Sequence, residues 1–235
     1  MNKFIASLIA ATSMTFGAFA AEDSNLSASI EGGYTTEYLV YGVSYADNAP
    51  LAGFNIGAQY FGVDFGVNGT ALPSREGLNQ SVWGIGLGKT FTISEPQKFA
   101  VRATGNVNRF LTGGSAIPDT TFADVGLALE NPYATPYVKG AYGVEVDQIG
   151  VIAGLKRDFN VFGLFTATPA AEYGYFSDYE YYTVKIGLSR KLFGHVEVFA
   201  EGAFIDNRFD GPAGGFAIKE LNDDFVGTGG LRWRF

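Results

Sequence analysis

Few residues in this sequence combine the types and the spacing that catalysis requires. His195 is the only histidine, and the sequence contains no cysteine. A serine hydrolase needs a histidine beside its nucleophile, whereas Ser189 precedes His195 by six residues in a strand-like stretch. Glu197 and Glu201 share one face of the next strand-like stretch, but at about 3.3 Å per residue they are separated by ~13 Å, too far for a glycosidase pair. The sequence therefore predicts that the protein is not an enzyme.

Signals for metals and cofactors are weak as well. Zinc sites use cysteine and histidine ligands that this sequence does not supply. The acidic residues of 206–211 and 223–224 offer the oxygen ligands that calcium prefers, although without the spacing of an EF-hand. A solvated surface loop is the alternative interpretation. The triplet Gly88-Lys89-Thr90 lacks the upstream glycines of a phosphate-binding loop, and no cofactor is expected.

Residues 1–20 have the three parts of a secretory signal. Lys3 supplies the positive charge, an apolar stretch follows, and Ala18-Phe19-Ala20 provides a small-x-small cleavage site. The apolar stretch is shorter than the roughly 20 residues of a membrane-spanning helix, so we expect cleavage after Ala20. Removal of Lys3 changes the net charge from −8 to −9. The remaining residues 21–235 are expected to form one domain whose charge argues against nucleic acid as a partner.

Residues 224–235 alternate in the manner of an extended strand. Phe225, Leu231, Trp233 and Phe235 fall on one face, and the other face is mostly polar. Similar alternation recurs in segments of about ten residues separated by turn residues, which is typical of transmembrane barrels. The pattern predicts an all-β fold, a transmembrane antiparallel up-and-down β-barrel of about twelve strands, with roughly ten to fourteen possible. The first segment, 26–44, exceeds one span and either projects beyond the membrane or contains a bulge.

The connections between these segments fall into two alternating sets. The short turns include Phe61-Gly62, Phe162-Gly163 and Phe193-Gly194, where glycine supplies the positive φ of a tight hairpin. The longer connections include 69–80 and 207–223. Short periplasmic turns and longer extracellular loops are typical of bacterial outer-membrane barrels, so both termini are expected on the periplasmic side.

Residues 36–50, TEYLVYGVSYADNAP, resemble the first hairpin of the TorF-type family of outer-membrane porins. The positions that match in register are Tyr38, Gly42, Ser44, Asp47, Asn48 and Pro50. Val40 and Tyr41 depart from the family pattern, which has an aromatic residue and an arginine there. The resemblance implies a β-barrel in the bacterial outer membrane, but it does not imply a lumen charge at Tyr41.

Fifteen charged residues fall on the polar strand faces and are expected to line the lumen. The acidic ones are Glu31, Asp64, Asp124, Glu130, Glu145, Glu172, Glu197, Glu201 and Asp224, and the basic ones are Arg102, Lys139, Lys156, Lys185, Arg232 and Arg234. Either water fills the barrel and the acidic excess favours cations, or these charges pair across the lumen and close it. The long first strand or the loop 207–223 could then fold inward as a plug.

Two functions of different classes are consistent with these features. One is a narrow outer-membrane porin for small, preferentially cationic or neutral solutes. The other is a non-conducting structural or surface-interaction barrel with a plugged lumen, whose Tyr-rich loop 177–182 meets a partner. A secreted soluble β-sandwich would leave the apolar strand faces without a purpose. The expected partners are outer-membrane lipid and the barrel-assembly machinery, which would recognise Leu231, Trp233 and Phe235 on the last strand.

Overall fold

The computed structural model describes residues 26–41, 43–73, 79–112, 119–209 and 224–235. Within these ranges the secondary structure consists of thirteen β-strands. They are β1 (Leu26–Val40), β2 (Val43–Tyr60), β3 (Val63–Pro73), β4 (Asn79–Ser94), β5 (Phe99–Leu111), β6 (Thr120–Glu130), β7 (Thr135–Gly143), β8 (Gln148–Lys156), β9 (Phe159–Val161), β10 (Phe165–Phe176), β11 (Tyr179–Phe193), β12 (Val196–Phe209) and β13 (Asp224–Arg234). No helix in the described ranges is long and apolar enough to cross a membrane.

The strands form a single closed antiparallel barrel. Neighbours in the chain pair in order, and β13 pairs with β1 to close the circle. β8 and β9 occupy one position together, because both pair with β10, β8 at residues 170–176 and β9 at residues 165–167. The barrel therefore has twelve strand positions, which confirms the fold class predicted from the alternation of apolar and polar residues.

Short turns and the two described chain ends share one end of the barrel, called here the lower rim. At two of its turns both central residues have positive φ, with values of 50° and 70° at Phe61 and Gly62 and of 54° and 69° at Phe162 and Gly163. This is the type I′ geometry, whose twist matches that of the flanking strands. The third Phe-Gly turn differs, because only Gly194 has positive φ, at 51°.

The first hairpin differs from the sequence-based expectation in the position of its turn. The turn lies at Tyr41, which has a φ of 48°, and β2 already begins at Val43. The prediction that 26–44 forms one segment is therefore wrong, because residues 43 and 44 already belong to β2. The bulge considered for this segment is present, since the register of β1 against β2 shifts between Tyr38 and Leu39.

The upper half of this hairpin is paired mainly with itself. β1 pairs with β13 over Ser29–Thr35, and β2 pairs with β3 over Ala52–Tyr60. Above these levels the two strands continue to pair with each other as far as the Tyr41 turn. Tyr41, Ala49 and Leu51 are all buried against side chains from the opposite strands. The hairpin therefore bends inward at the upper rim, the end of the barrel opposite the two described chain ends.

Candidate functional site

Alternation along the strands gives the barrel two chemically different faces. Large apolar side chains are exposed on the outside, among them Ile56, Phe65, Ile85, Leu87, Val125, Leu127, Val151, Val184, Ile186 and Leu231. The inside holds buried polar and charged side chains, among them Asn68, Arg102, Asn108, Asp124, Lys139 and Glu197. Soluble proteins show the opposite distribution. The interior is therefore where selective chemistry is concentrated, and it is the candidate functional site.

Six aromatic side chains fill the upper part of the interior and are called here the aromatic cluster. They are Tyr41, Phe110, Phe122, Phe176, Tyr179 and Tyr181. The Tyr41 ring lies 4.9 Å from that of Phe122 and 5.7 Å from that of Phe176, measured between centroids. Phe176 stacks on Tyr179 at 4.8 Å. Phe110, Phe176 and Tyr181 are at most 1% exposed. The cluster therefore closes the upper interior in this structure.

Polar contacts fix Tyr41 within the aromatic cluster. Its hydroxyl donates a hydrogen bond of 3.0 Å to Oδ2 of Asp124. The other oxygen of Asp124 accepts a hydrogen bond of 2.7 Å from the side-chain amide of Asn106. The hydroxyl of Tyr179 donates to the backbone oxygen of Tyr41 at 3.1 Å. The hairpin turn is thus tied to the barrel wall at two points rather than resting on apolar contacts alone.

Glycines on the neighbouring strands make room for the large interior rings. Gly150 pairs with Phe176, Gly154 with Tyr137, and Gly174 with Tyr181. In each pair, a Cβ added to the glycine would overlap the partner's ring. The rings therefore lie flat against the wall because the neighbouring strand has no side chain there. These inward glycines accommodate protein side chains, so the space that they leave is already occupied.

Glu172 lies below the aromatic cluster and is bound by two tyrosines. Tyr137 donates to its Oε2 at 2.5 Å, and Tyr181 donates to its Oε1 at 2.7 Å. Charge-assisted hydrogen bonds of this kind are stronger than bonds between neutral groups. Both oxygens of this interior carboxylate are therefore occupied by donors from the wall.

A network of ion pairs lies near the lower rim, where the barrel closes. Arg232 of β13 contacts Oε2 of Glu31 on β1 at 2.9 Å and Oε1 of Glu197 on β12 at 3.1 Å. Arg234 adds a second contact to Glu197 at 3.0 Å. The side chains of Glu31 and Glu197 are only 8% and 7% exposed. The network therefore joins three adjacent strands through nearly buried charges.

A second interior ion pair links β3 with β5. Arg102 contacts Oδ2 of Asp64 at 2.8 Å, and the side-chain amide of Gln59 donates to Oδ1 of the same carboxylate at 2.9 Å. Arg102 is also close to Gly88, whose missing side chain leaves space for the guanidinium. This pair and the network at the barrel closure account for six of the interior charges.

Three lysines occupy the part of the wall formed by β7, β8 and β11. Lys139 is 8% exposed and has no carboxylate within 4.0 Å among the described residues. Lys185 is 3.9 Å from Oε1 of Glu201. Lys156 lies on the same interior face, and its position in the sheet brings it level with Lys185, because both residues pair with Ala170. This wall carries more free ammonium groups than any other described part of the interior.

The structure places most of the sequence-predicted lumen residues on the interior face. Those are Glu31, Asp64, Arg102, Asp124, Glu130, Lys139, Lys156, Glu172, Lys185, Glu197, Glu201, Arg232 and Arg234, all of which follow the phase of the buried positions in their strands. The remaining two are Glu145, which lies elsewhere, and Asp224, which begins β13 and whose side chain is not among those described.

Glu145 lies in the turn after β7, at the outer side of the upper rim. It accepts hydrogen bonds from the backbone N–H of Thr121 at 2.5 Å and from the Thr121 hydroxyl at 3.0 Å, and it pairs with Arg109. Thr121 and Arg109 follow the outward phase of their strands, opposite to Phe122 and Phe110. Burial alone would raise the pKa of Glu145, but these hydrogen bonds outweigh it and hold the pKa below its usual value.

The other sequence-predicted features lie at the lower rim or outside the described ranges. Leu231, Trp233 and Phe235 are exposed on the outer face, and the rings of Trp233 and Phe235 stack at 6.2 Å. The expected cleavage site at Ala18 and Ala20 lies outside the described residues, as do Asp210 and Asp223 of the acidic residues considered for calcium. His195 is exposed in the turn before β12. No group of three or more metal-ligating side chains occurs within the described ranges.

The aromatic cluster was not predicted from the sequence. Residues 177–182 are predicted to form a Tyr-rich loop, but Tyr179 and Tyr181 are buried inside while Tyr182 is 43% exposed outside. The sequence does contain a signal for the cluster. Phe110 and Phe122 alternate onto the same strand faces as the polar residues Asn108 and Asp124. Large rings in a polar phase indicate a filled interior.

The barrel is similar to two solved structures of a porin. They are described as the KdgM porin and as the KdgM porin in complex with disordered oligogalacturonate, and both match with a TM-score of 0.56. The identities are 9% and 8%, and the alignments cover 88% and 89% of this chain and 99% of each porin chain. At such identity the similarity establishes the barrel fold alone. No family model matches the sequence, and no curated protein matches it. Membership of the TorF-type family stays a prediction.

Proposed function

We propose that this protein is a narrow porin of the bacterial outer membrane that passes small polar solutes. The observation that carries this proposal is the enclosed interior wall with charges such as Lys139 and Lys156, which have no ion-pair partner among the described residues. An unpaired charge in a dry, low-dielectric interior costs several kcal/mol. That cost is comparable to the whole free energy of unfolding of a marginally stable protein. Water that reaches the interior below the aromatic cluster would hydrate these charges, and such water is the first requirement of a channel.

The outer face supports the location in a membrane. A barrel spans a bilayer because every backbone group is hydrogen-bonded within the closed sheet, and its apolar side chains face lipid. The signal-like residues 1–20 support export, and the fold similarity to the KdgM porin agrees with this location. In this proposal the lower rim faces the periplasm, and the exposed side chains of Leu231, Trp233 and Phe235 present the last strand to the assembly machinery.

The aromatic cluster then acts as the closed gate of the channel at its extracellular end. Tyr41 sits on a hairpin turn whose strands, among the described residues, pair only with each other at that height, so this element can move without breaking the described barrel ladders. Its attachments to the wall are the hydrogen bonds with Asp124 and Tyr179. Outward movement of the hairpin would connect the hydrated lower interior with the exterior.

The numbers of acidic and basic interior residues do not decide which ions the channel prefers. The expected preference for cations rested on nine acidic against six basic lumen residues. With Glu145 outside the interior and the side chain of Asp224 not described, seven acidic residues face six basic ones on the interior face. Such a nearly balanced count does not select an ion by itself, so the arrangement of the charges must decide.

A non-conducting barrel with a plugged lumen is the second candidate. The specific observation in its favour is the completeness of the closure, since Phe110, Phe176 and Tyr181 are at most 1% exposed. A permanent plug would explain this burial without any gating. It would not explain why Lys139 and Lys156 are placed in the interior without ion-pair partners among the described residues.

Planar-bilayer recording of the refolded chain, residues 21–235, separates the two candidates. A porin gives discrete conductance steps, with long closed periods caused by the aromatic cluster. Removal of the ring in Tyr41→Ala should shorten those periods. A barrel that folds with the heat-dependent gel mobility of a closed sheet but stays silent, both as wild type and as Tyr41→Ala, would contradict the porin and leave the plugged barrel.

A further inference from the structure

The three interior lysines are brought together by the register of neighbouring strands. Lys156 and Lys185 flank Ala170 on either side, so two strand spacings of about 4.8 Å place their Cα atoms ~10 Å apart at one height. Lys139 lies higher on the same wall, where it pairs with Ile152. Its ammonium is 5.4 Å from the ring centroid of Tyr137. The three lysines therefore lie on one wall of the lower interior, with Lys139 above the level of the other two.

The donors of these lysines are largely unused. Lys139 is more than nine-tenths buried, yet its ammonium makes no hydrogen bond or ion pair with any described residue. The same holds for Lys156 within the described ranges, and Lys185 has a single distant contact of 3.9 Å with Glu201. Each ammonium carries three donors and no acceptor. The wall can therefore offer several charged donors to a molecule inside the barrel.

Two carboxylates beside the lysines already accept hydrogen bonds from other side chains. Both oxygens of Glu172 accept hydrogen bonds from tyrosine hydroxyls, and both oxygens of Asp124 are bound by Tyr41 and Asn106. A cation that bound either carboxylate would have to share its oxygens with these donors. A solute that brings its own acceptors would meet free ammonium groups. The imbalance favours anions over cations, although the total charge is nearly balanced.

We propose that Lys139, Lys156 and Lys185 form a binding site for a small di- or tricarboxylate inside the channel. The inference rests on the proposed porin function and assigns its solute class. Ammonium groups on separate strands, two of which have Cα atoms ~10 Å apart, suit carboxylates at different ends of one molecule better than a single compact oxyanion. Lysine acts as a point charge on a flexible stem, so three of them can adapt to several carboxylates of this kind.

Calorimetric titration of the detergent-folded chain with citrate tests the site directly, at constant ionic strength. Wild type should bind citrate, and Lys139→Gln and Lys156→Gln should each weaken binding about tenfold, because each removes one charged hydrogen-bond donor. Lys89→Gln is the matched control, since Lys89 is exposed on the outer face and should leave binding unchanged. Sulfate that binds as tightly as citrate, or citrate binding insensitive to both interior changes, would overturn the proposal.

Bilayer recording with citrate added to one side separates this inference from the porin function. If citrate blocks the wild-type current and blocks it less in Lys139→Gln, both the carboxylate site and the porin function are supported. Channels that citrate does not block and that select cations would overturn the carboxylate site while the porin function stands. A silent barrel that still binds citrate in calorimetry would overturn the porin function and keep the site.

Discussion

At the scale of single residues, the proposed gate depends on the position of Tyr41. Its ring contacts Phe122 and Phe176, and its hydroxyl is held by the buried carboxylate of Asp124. Tyr41→Phe keeps the ring but loses a hydrogen bond to a charged group, which contributes about 1.5–3 kcal/mol. We expect the open fraction of single channels to rise about tenfold or more, as read from closed-time histograms in bilayers.

The matched control for this change is Tyr60→Phe, because Tyr60 is 63% exposed on the outer face and outside the cluster. Tyr41→Ala should go further, since it also removes the ring contacts. Equal open fractions in wild type, Tyr41→Phe and Tyr41→Ala would show that Tyr41 does not control opening. Unchanged gel mobility of the folded variants would confirm that any effect arises in the lumen rather than from misfolding.

At the scale of strands, the aromatic cluster depends on glycines of the neighbouring strands. Gly174→Ala places a methyl group where the ring of Tyr181 lies. The ring then has to leave its position, and overpacking of this kind costs about 1–3 kcal/mol. We expect a lower midpoint of urea unfolding in detergent and a weaker near-ultraviolet tyrosine signal.

Gly140→Ala is the control for that prediction. Gly140 lies on the outward phase of β7, and an added Cβ would have no neighbour within 4 Å. Its unfolding midpoint should match that of the wild type. If Gly174→Ala unfolded at the same midpoint as Gly140→Ala, the flat packing of Tyr181 on its neighbouring strand would contribute nothing to stability.

Strand periodicity could predict the faces of the barrel but not the inward hairpin. Alternation identified β5 as a strand with Arg102 and Asn106 on its polar side, and the structure places both inside. Periodicity says which face a side chain takes, but it does not say where a strand loses its neighbours. β2 continues above the level at which β3 stops pairing with it, and that difference allows the Tyr41 turn to bend inward. The burial of Tyr41 is therefore a consequence of ladder lengths.

The sequence does not predict which interior charges form ion pairs with one another. The sequence indicated that Arg232 and Glu31 face inward, because charges on the outer face of an apolar barrel are costly. It did not indicate that they meet, since 201 residues separate them along the chain. Only closure of the sheet through β13 and β1 brings Arg232 opposite Glu31 in the register. Partners across the closure depend on the strand count and the shear of the whole barrel.

At the scale of the whole molecule, closure of the barrel is expected to depend on Arg232. The guanidinium gives two hydrogen bonds to Glu31, of 3.0 and 2.9 Å, and a third to Glu197. Arg232→Gln leaves the nearly buried Glu31 without an ion pair among the described residues, whereas Glu197 keeps Arg234. Breaking a buried pair from one side costs about 3–5 kcal/mol, and access of water from the lower rim favours the low end, about 3 kcal/mol.

Arg234→Gln is the comparison that separates closure from a general loss of positive charge. Both variants remove one charge from β13, but the side chain of Arg234 is 54% exposed, and its ion pair among the described residues is with Glu197. Because Arg234 is more than half exposed and Glu197 keeps Arg232 in this variant, the change should cost under about 1 kcal/mol, and the free energy of unfolding should stay near the wild-type value. The free energy of unfolding of both variants is measured by urea unfolding in detergent, followed by tryptophan emission from Trp233 and Trp83. Equal losses in the two variants would mean that charge alone matters. A loss confined to Arg232→Gln, partly restored in Arg232→Lys, would show that the pair with Glu31 holds the first strand to the last.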